Sequence, residues 1–219
     1  MSLRSGIRCR TSSSRGFSLL ELALVLGIMG LVLGTLWGAV AMVQERVKRH
    51  QLQEQMMFMI NNVRNYYAAK DRIEDDVGNL TYPEVTDYLL RRNVLLPEQI
   101  RNRAAAAPWL ADTPWGASAA DGSLLANGGI QVGGYDRNGV ADPENFFTIR
   151  LSGLSYANCL ELVAALSANT TQDRLDAVVV NGTVHIPPVP VNFAATSCVV
   201  PAGVANRVDW VYFLRRSVR

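Results

Sequence analysis

Histidine is almost missing from this chain. Its 219 residues include two, His50 and His185, and they do not form an H-x-x-x-H pair. No C-x-x-C pair occurs either, so the commonest zinc and dithiol spacings are excluded. An enzyme needs a nucleophile, base or metal held in one constellation. Two isolated imidazoles and three scattered cysteines provide none. Basic stretches interleaved with aromatic residues are also lacking, which argues against nucleic acid as a partner. Proline is absent from Phe17 to Tyr82, and no charged side chain lies between Leu22 and Val43. The first absence permits one long helix. The second leaves an apolar run of membrane-spanning length.

What the chain does contain is enough for a packed core. Hydrophobic residues make up 49% and charged residues 18%, and the length suits one main domain with an appended element. The net charge of +2 is unevenly placed. Arg4, Arg8, Arg10 and Arg15 lie in Met1–Gly16 with no acid beside them, and the rest of the chain is slightly acidic. Cys9 belongs to the same leader, so removing it leaves Cys159 and Cys198 as an even pair. Two readings of that pair stand. One is a disulfide in an exported protein, closing a loop of about 40 residues worth roughly 4 kcal/mol. The other is two buried thiols in a reducing compartment.

As a helix, Leu22–Val43 would extend about 33 Å, enough to cross a bilayer. A secretory signal peptide would explain the basic start and the cleavage-site-like Ala39-Val40-Ala41. Its apolar segment would be too long, and Glu21 would sit at the segment's beginning. A plain membrane anchor explains the length. Arginines before the run and a polar domain after it then give an N-in orientation, with the head outside the cytoplasm. Neither reading gives a purpose to Glu21, a carboxylate placed where ionisation is costly.

Gly16-Phe17-Ser18-Leu19-Leu20-Glu21 supports a third reading. A basic leader ending in glycine, an apolar next residue and a glutamate four positions further on resemble the processing site of type IV prepilins and pseudopilins. That resemblance implies cleavage after Gly16 by a prepilin peptidase at the cytoplasmic membrane face, and N-methylation of Phe17. Cleavage would create an ammonium group at Phe17. The Glu21 carboxylate of one subunit can meet that group on a neighbour when subunits stack with a short axial shift. A buried pair adds little net stability, yet losing either partner is strongly destabilising, so the pair fixes register. The simpler alternative is that Glu21 only interacts with the helix N-terminal dipole, worth about 0.3–1 kcal/mol.

Gly30, Gly34 and Gly38 recur every four residues, with Gly27 and Ala23 close to the same face. Small residues so spaced let helices approach closely in an apolar medium. From Gln44 to Lys70 the run turns polar, while Val47, Leu52, Met56, Ile60, Val63 and Tyr67 keep an amphipathic spacing. The methionines Met56, Met57 and Met59 are expected to fill core. The expectation is one helix from residue 17 to about residue 70. Its part 17–43 would span the membrane and later form filament core, and 44–70 would anchor a head. The missing proline departs from the kinked helix of many type IVa pilins, so Gly38 is the expected flexible point.

The remainder, 71–219, reads as an α+β head. Pro83–Leu90 predicts a short helix, Phe146–Leu151 a strand, and Tyr156–Leu166 a helix carrying Cys159. The stretch from Asp176 to Ile186, broken by Asn181-Gly182, predicts a hairpin with a type I′ turn that Pro187, Pro188 and Pro190 end. Val208–Leu214 predicts a last strand before the basic tail Arg215, Arg216 and Arg219. The stretch Ala104–Gly134 is expected to be mostly loop. Asp136-Arg-Asn138-Gly139-Val-Ala-Asp142-Pro-Glu144 gathers oxygen ligands but lacks calcium-loop spacing, so an Asn-Gly turn is expected there.

Two head features extend the resemblance. Thr113-Pro114-Trp115-Gly116 is similar to a turn found in many pilin and pseudopilin heads. Phe147-Thr148-Ile149 followed by Cys159 and Cys198 looks like the type IVb pattern, in which a disulfide pins the C-terminal segment to the head. The resemblance thus implies a pilin fold: a long N-terminal helix packed by its second half on an antiparallel sheet. It implies no cofactor and no catalysis. The implied partners are further copies of the chain in a pilus, the prepilin peptidase/N-methyltransferase, and the assembly machinery of the bacterial inner membrane. The chain would sit in that membrane with its head in the periplasm, then in an extracellular fibre serving adhesion, aggregation, motility or conjugative contact. A minor pilin, a type II secretion pseudopilin, and a membrane-anchored envelope protein that never polymerises are the other readings.

Overall fold

The structure is a computed structural model and describes residues 18–95, 111, 113–114, 129–167, 174–198 and 206–214. The chain divides into two compact units, Met1–Glu45 and Arg46–Arg219. A single helix, α1 (Leu19–Tyr67), contributes residues to both. It passes Gly38 without a break, as a proline-free segment can. It ends at Tyr67, slightly short of the expected end near Lys70. Phe17, its expected start, lies outside the described residues.

The larger unit is an α+β head. After α1 come α2 (Tyr82–Arg91), β1 (Gly129–Gly133), β2 (Phe146–Leu154), α3 (Tyr156–Ser167), β3 (Leu175–Val180), β4 (Thr183–His185), α4 (Val191–Ser197) and β5 (Asn206–Phe213). The five strands form one sheet in the order β1-β2-β5-β3-β4, and every pairing is antiparallel. The last strand in sequence therefore inserts between β2 and β3.

Local chemistry accounts for several of these elements. Asn181 and Gly182 adopt φ of 51° and 89° between the paired residues Val180 and Thr183. Two successive positive φ values define the type I′ turn whose twist matches a hairpin. The register of β2 against β5 shifts between Leu151 and Leu154, where Gly153 takes a φ of 79° that absorbs the bulge. Alternation along the strands gives the sheet two faces. Phe147, Ile149, Leu151, Val208, Trp210 and Tyr212 join the main core, while Ala177, Val179 and Val211 form a smaller cluster with Phe146.

The amphipathic half of α1 buries Leu52, Met56, Met59, Ile60, Val63 and Tyr67 in the main core, together with residues of α2 and α3. Each such side chain contributes about 1.5–3 kcal/mol of transfer free energy. Met56 and Met59 are fully buried and Met57 packs partly against the same cluster, so the methionines do fill core. Polar bonds hold the helix in place. The Arg64 Nε donates to the Phe213 carbonyl at 3.2 Å, and the Asn62 side chain donates to the Val94 carbonyl at 2.9 Å. Arg49 also pairs with Glu161 of α3.

One expectation needs correction, and two elements were not foreseen. Val47 is 49% exposed, so the buried stripe begins at Leu52. Periodicity reports which face is apolar, not where along the helix the core begins. Most of the stretch Ala104–Gly134, expected to be mostly loop, lies outside the described residues, but its end forms β1, whose five residues all pair with β2 from Gly129↔Ser152 to Gly133↔Thr148. Its glycines hide the strand locally, and pairing overrides the weak propensity. The short helix α4 follows Pro190 where the sequence suggested only the end of a hairpin.

Candidate assembly surface

The first half of α1 is apolar and exposed among the described residues. Residues 18–44 are all exposed, and none of the most apolar helical window is buried. Leu19 is 87%, Leu31 72% and Trp37 81% exposed. A helix apolar on all sides requires lipid or other helices around it, and an apolar patch of this extent is foreign to a monomer in water. By length and composition the helix is able to cross a membrane. Its hydroxyl at Thr35 donates back to the Val32 carbonyl at 2.9 Å, so this polar group is satisfied within the helix.

Gly27, Gly30, Gly34 and Gly38 belong to this surface. A Cβ added at any of them would meet nothing within 4 Å. The chain's own packing therefore does not require glycine there, although each costs a helix about 1 kcal/mol against alanine. Small residues at this spacing permit close helix approach in an apolar medium.

Glu21 lies exposed in the first turn of α1, where the amides of Glu21 and Leu22 donate to the Ser18 carbonyl at 3.0 and 3.1 Å. It makes no ion pair with a described residue of its own chain. Gly16 and Phe17, which the processing motif calls on, lie outside the described residues.

In the head, Cys159 and Cys198 form a disulfide with Cα atoms 5.9 Å apart. Both residues are fully buried. The bridge links α3 to the C-terminal cap of α4, immediately ahead of the segment leading to the central strand β5. Thr113 is buried and Pro114 lies in a turn, next to a bridge pairing Ala111 with Ile130. Trp115 and Gly116 lie outside the described residues.

The remaining candidates are accounted for by structural contacts. The Asp136 carboxylate accepts from the amides of Asn138 and Val140 at 2.8 and 2.9 Å, and Asp142 accepts from the Asn145 side chain at 2.9 Å. This is the Asn-Gly turn, and among the described residues no cluster of acids, histidines or cysteines is arranged to hold a metal. His50 lies 3.6 Å from Glu54, and His185 stacks on Phe193 at 4.6 Å between ring centres.

Sequence reasoning missed two polar clusters of the head. Lys70 donates to the Tyr88 hydroxyl at 2.9 Å and lies over the rings of Tyr66, Tyr67 and Tyr88. Arg150 pairs with Asp209 across β2 and β5. A strand-borne arginine and aspartate in separate strands gave the only hint of the second pair.

No protein-family profile and no curated protein sequence matches the chain. Among solved structures, it is similar to the crystal structure of type IVb pilin from Salmonella typhi, with a TM-score of 0.50 at 16% identity. That likeness covers 71% of this chain and 93% of the pilin. The NMR structure of the type IVb pilin PilS from the same organism is similar at a TM-score of 0.41 and 16% identity, covering 75% and 96%. With its long apolar N-terminal helix, antiparallel sheet and C-terminal disulfide, this chain has the type IVb pilin fold.

Proposed function

We propose that this chain is the structural subunit of a type IV, IVb-like pilus. It enters the bacterial inner membrane through α1 with its head in the periplasm. A prepilin peptidase cuts after Gly16, and Phe17 is N-methylated. The assembly machinery then draws the subunit into an extracellular filament whose core is built from residues 17–43 of many copies. The filament serves surface contact: adhesion, aggregation, motility or conjugation.

The observation that carries this reading is the uncovered apolar half of α1, continuous in one helix with the stripe that forms the head's core. A bilayer alone would accept such a segment, but not explain its three parts together: Glu21 in the first turn, the glycines at 30, 34 and 38, and the pilin-type head. In a filament, Glu21 neutralises the Phe17 ammonium of a neighbour, and Gly30, Gly34 and Gly38 admit its helix closely. The buried Cys159–Cys198 bridge supports the IVb form, since it ties down the C-terminal part of the head.

The test is intact mass and N-terminal sequencing of the protein from its native envelope, joined to analysis of sheared surface fibres. The expected result is a chain starting at methylated Phe17 that forms the bulk of the fibre. A chain starting at Met1 or Met42 would overturn the processing. Correct processing with only trace amounts in fibres would favour a minor pilin or a secretion pseudopilin. Full retention in the membrane would favour a non-polymerising envelope protein.

A further inference from the structure

The sequence contains Asn-Gly at Asn127, Asn138 and Asn181. Asparagine before glycine is the dipeptide most prone to spontaneous deamidation, because no side chain hinders attack by the following backbone nitrogen. The glycine nitrogen attacks the asparagine Cγ, and ammonia leaves to form a succinimide. Water then opens the ring to aspartate or isoaspartate. Nitrogen leaves as ammonia and oxygen comes from water, so no oxidant or reductant is needed. Reaction requires the carboxamide to rotate freely and the backbone to adjust.

The two described sites differ sharply in that freedom. Around Asn181, the side-chain nitrogen donates to the Ser197 carbonyl at 2.9 Å and to the Asn206 side-chain oxygen at 2.8 Å. Its side-chain oxygen accepts from the Arg207 amide at 2.9 Å, and its own amide donates to the Arg207 carbonyl at 2.9 Å. Asn206 is itself 1% exposed and bonded to the Leu154 carbonyl, so the clamp is built into the sheet. Asn138 is exposed, and its carboxamide makes no hydrogen bond with a described residue. Gly139 is equally open, with nothing within 4 Å of the position its Cβ would take.

We infer that Asn138 is a site of spontaneous deamidation in the folded protein, and that the network around Asn181 protects an otherwise equally labile dipeptide. The product places a new negative charge on an exposed head turn. In the isoaspartyl form it also lengthens the backbone between Asp136, whose carboxylate accepts, and Val140, whose amide donates to close that turn. The inference rests on head geometry alone and stands whether or not the chain polymerises.

The test is residue-resolved peptide mapping of the purified full-length protein during incubation in mildly alkaline buffer. Fragmentation that separates aspartate from isoaspartate is used, and the same chain reduced and held in urea serves as reference. Mapping keeps Asn127, which lies outside the described residues, separate. In urea the two rates should agree within about twofold, since glycine follows both residues. In the folded chain Asn181 should react at least about tenfold more slowly than Asn138, because the hydrogen bonds that hold its carboxamide must break first. Asn206→Ala should return part of the lost rate at Asn181. Asn138 as slow as Asn181 in the folded chain, or Asn181 as fast as in urea, would overturn the inference.

Discussion

Arg150 and Asp209 face each other across β2 and β5 as a two-pronged ion pair. The Nε donates at 2.9 Å and an Nη at 3.0 Å to the two carboxylate oxygens. Asp209 is 6% exposed, and the Arg150 guanidinium lies 3.8 Å from the Tyr82 ring centre. Burial pushes the Tyr82 phenol up to about 12, even against the opposing pull of Arg150. The planar fork of arginine suits both contacts at once. The pair locks the register of the last strand onto the sheet.

Asp209→Ala should therefore cost about 3 kcal/mol, because it strands a mostly buried cation. The double change Arg150→Met with Asp209→Leu should cost less than Asp209→Ala alone. Urea unfolding of the three proteins checks the order, and a double variant worse than the single one would contradict it.

The disulfide makes a separate contribution. Cys159 and Cys198 are 39 residues apart in sequence, and bridging them restricts the unfolded chain by roughly 4 kcal/mol on the chain-entropy estimate. Cys159→Ser combined with Cys198→Ser should lower the thermal midpoint markedly without changing the sheet. Calorimetry with circular dichroism measures both; an unchanged midpoint would mean that the bridge is energetically idle.

Two aspartates should respond to pH in opposite directions. Burial opposes ionisation of Asp75. Even so, hydrogen bonds from the amide and side chain of Asn79 and the amide of Val77 outweigh it and hold the carboxyl below its ordinary range. A depressed folded pKa means that its stabilisation is present above the unfolded pKa and lost as pH falls through the folded value. Asp176 is raised by burial, against the pull of Arg137 at 3.9 Å and with the help of Asp136. Its contribution is fully present below the unfolded pKa and lost as pH rises through the folded value. At neutral pH, Asp75→Asn should destabilise and Asp176→Asn should stabilise, both effects fading in acid. Denaturation midpoints measured across the acid range decide this, and effects of the same sign would refute the assignment.

On the proposed function, Glu21→Val should leave cleavage after Gly16 intact and reduce incorporation into fibres at least about tenfold. The lost partner leaves an ammonium group unpaired in an apolar bundle. Immunoblots of membrane and sheared-fibre fractions separate the two steps. Wild-type fibre yield from this variant would end the pairing argument.

Much of this architecture is legible locally, and the misses have physical causes. The long helix follows from a proline-free run whose apolar pattern is written along contiguous residues. The β3–β4 hairpin follows from Asn181-Gly182, because a turn is decided by the residues inside it. Val47 was misplaced because periodicity cannot say how far the covering core extends. β1 was hidden because Gly129–Gly133 becomes a strand through its partner β2. Of the candidate assembly residues, Glu21 and the glycines are conspicuous as costly residues in an apolar helix, while the Arg150–Asp209 pair is hinted at only by opposite charges on two separate strands.

The boundary falls between information carried by neighbours in the chain and information carried by neighbours in space. Helix length, the apolar half of α1, the turn at Asn181 and the even cysteine pair needed only short-range chemistry and composition. The strand order β1-β2-β5-β3-β4 needed the folded molecule, since a C-terminal strand entering the middle of a sheet depends on contacts with residues far away in sequence. The same holds for the clamp on Asn181. Those pairings compensate their loop-closure entropy only when the whole head assembles together, which no local window of sequence records.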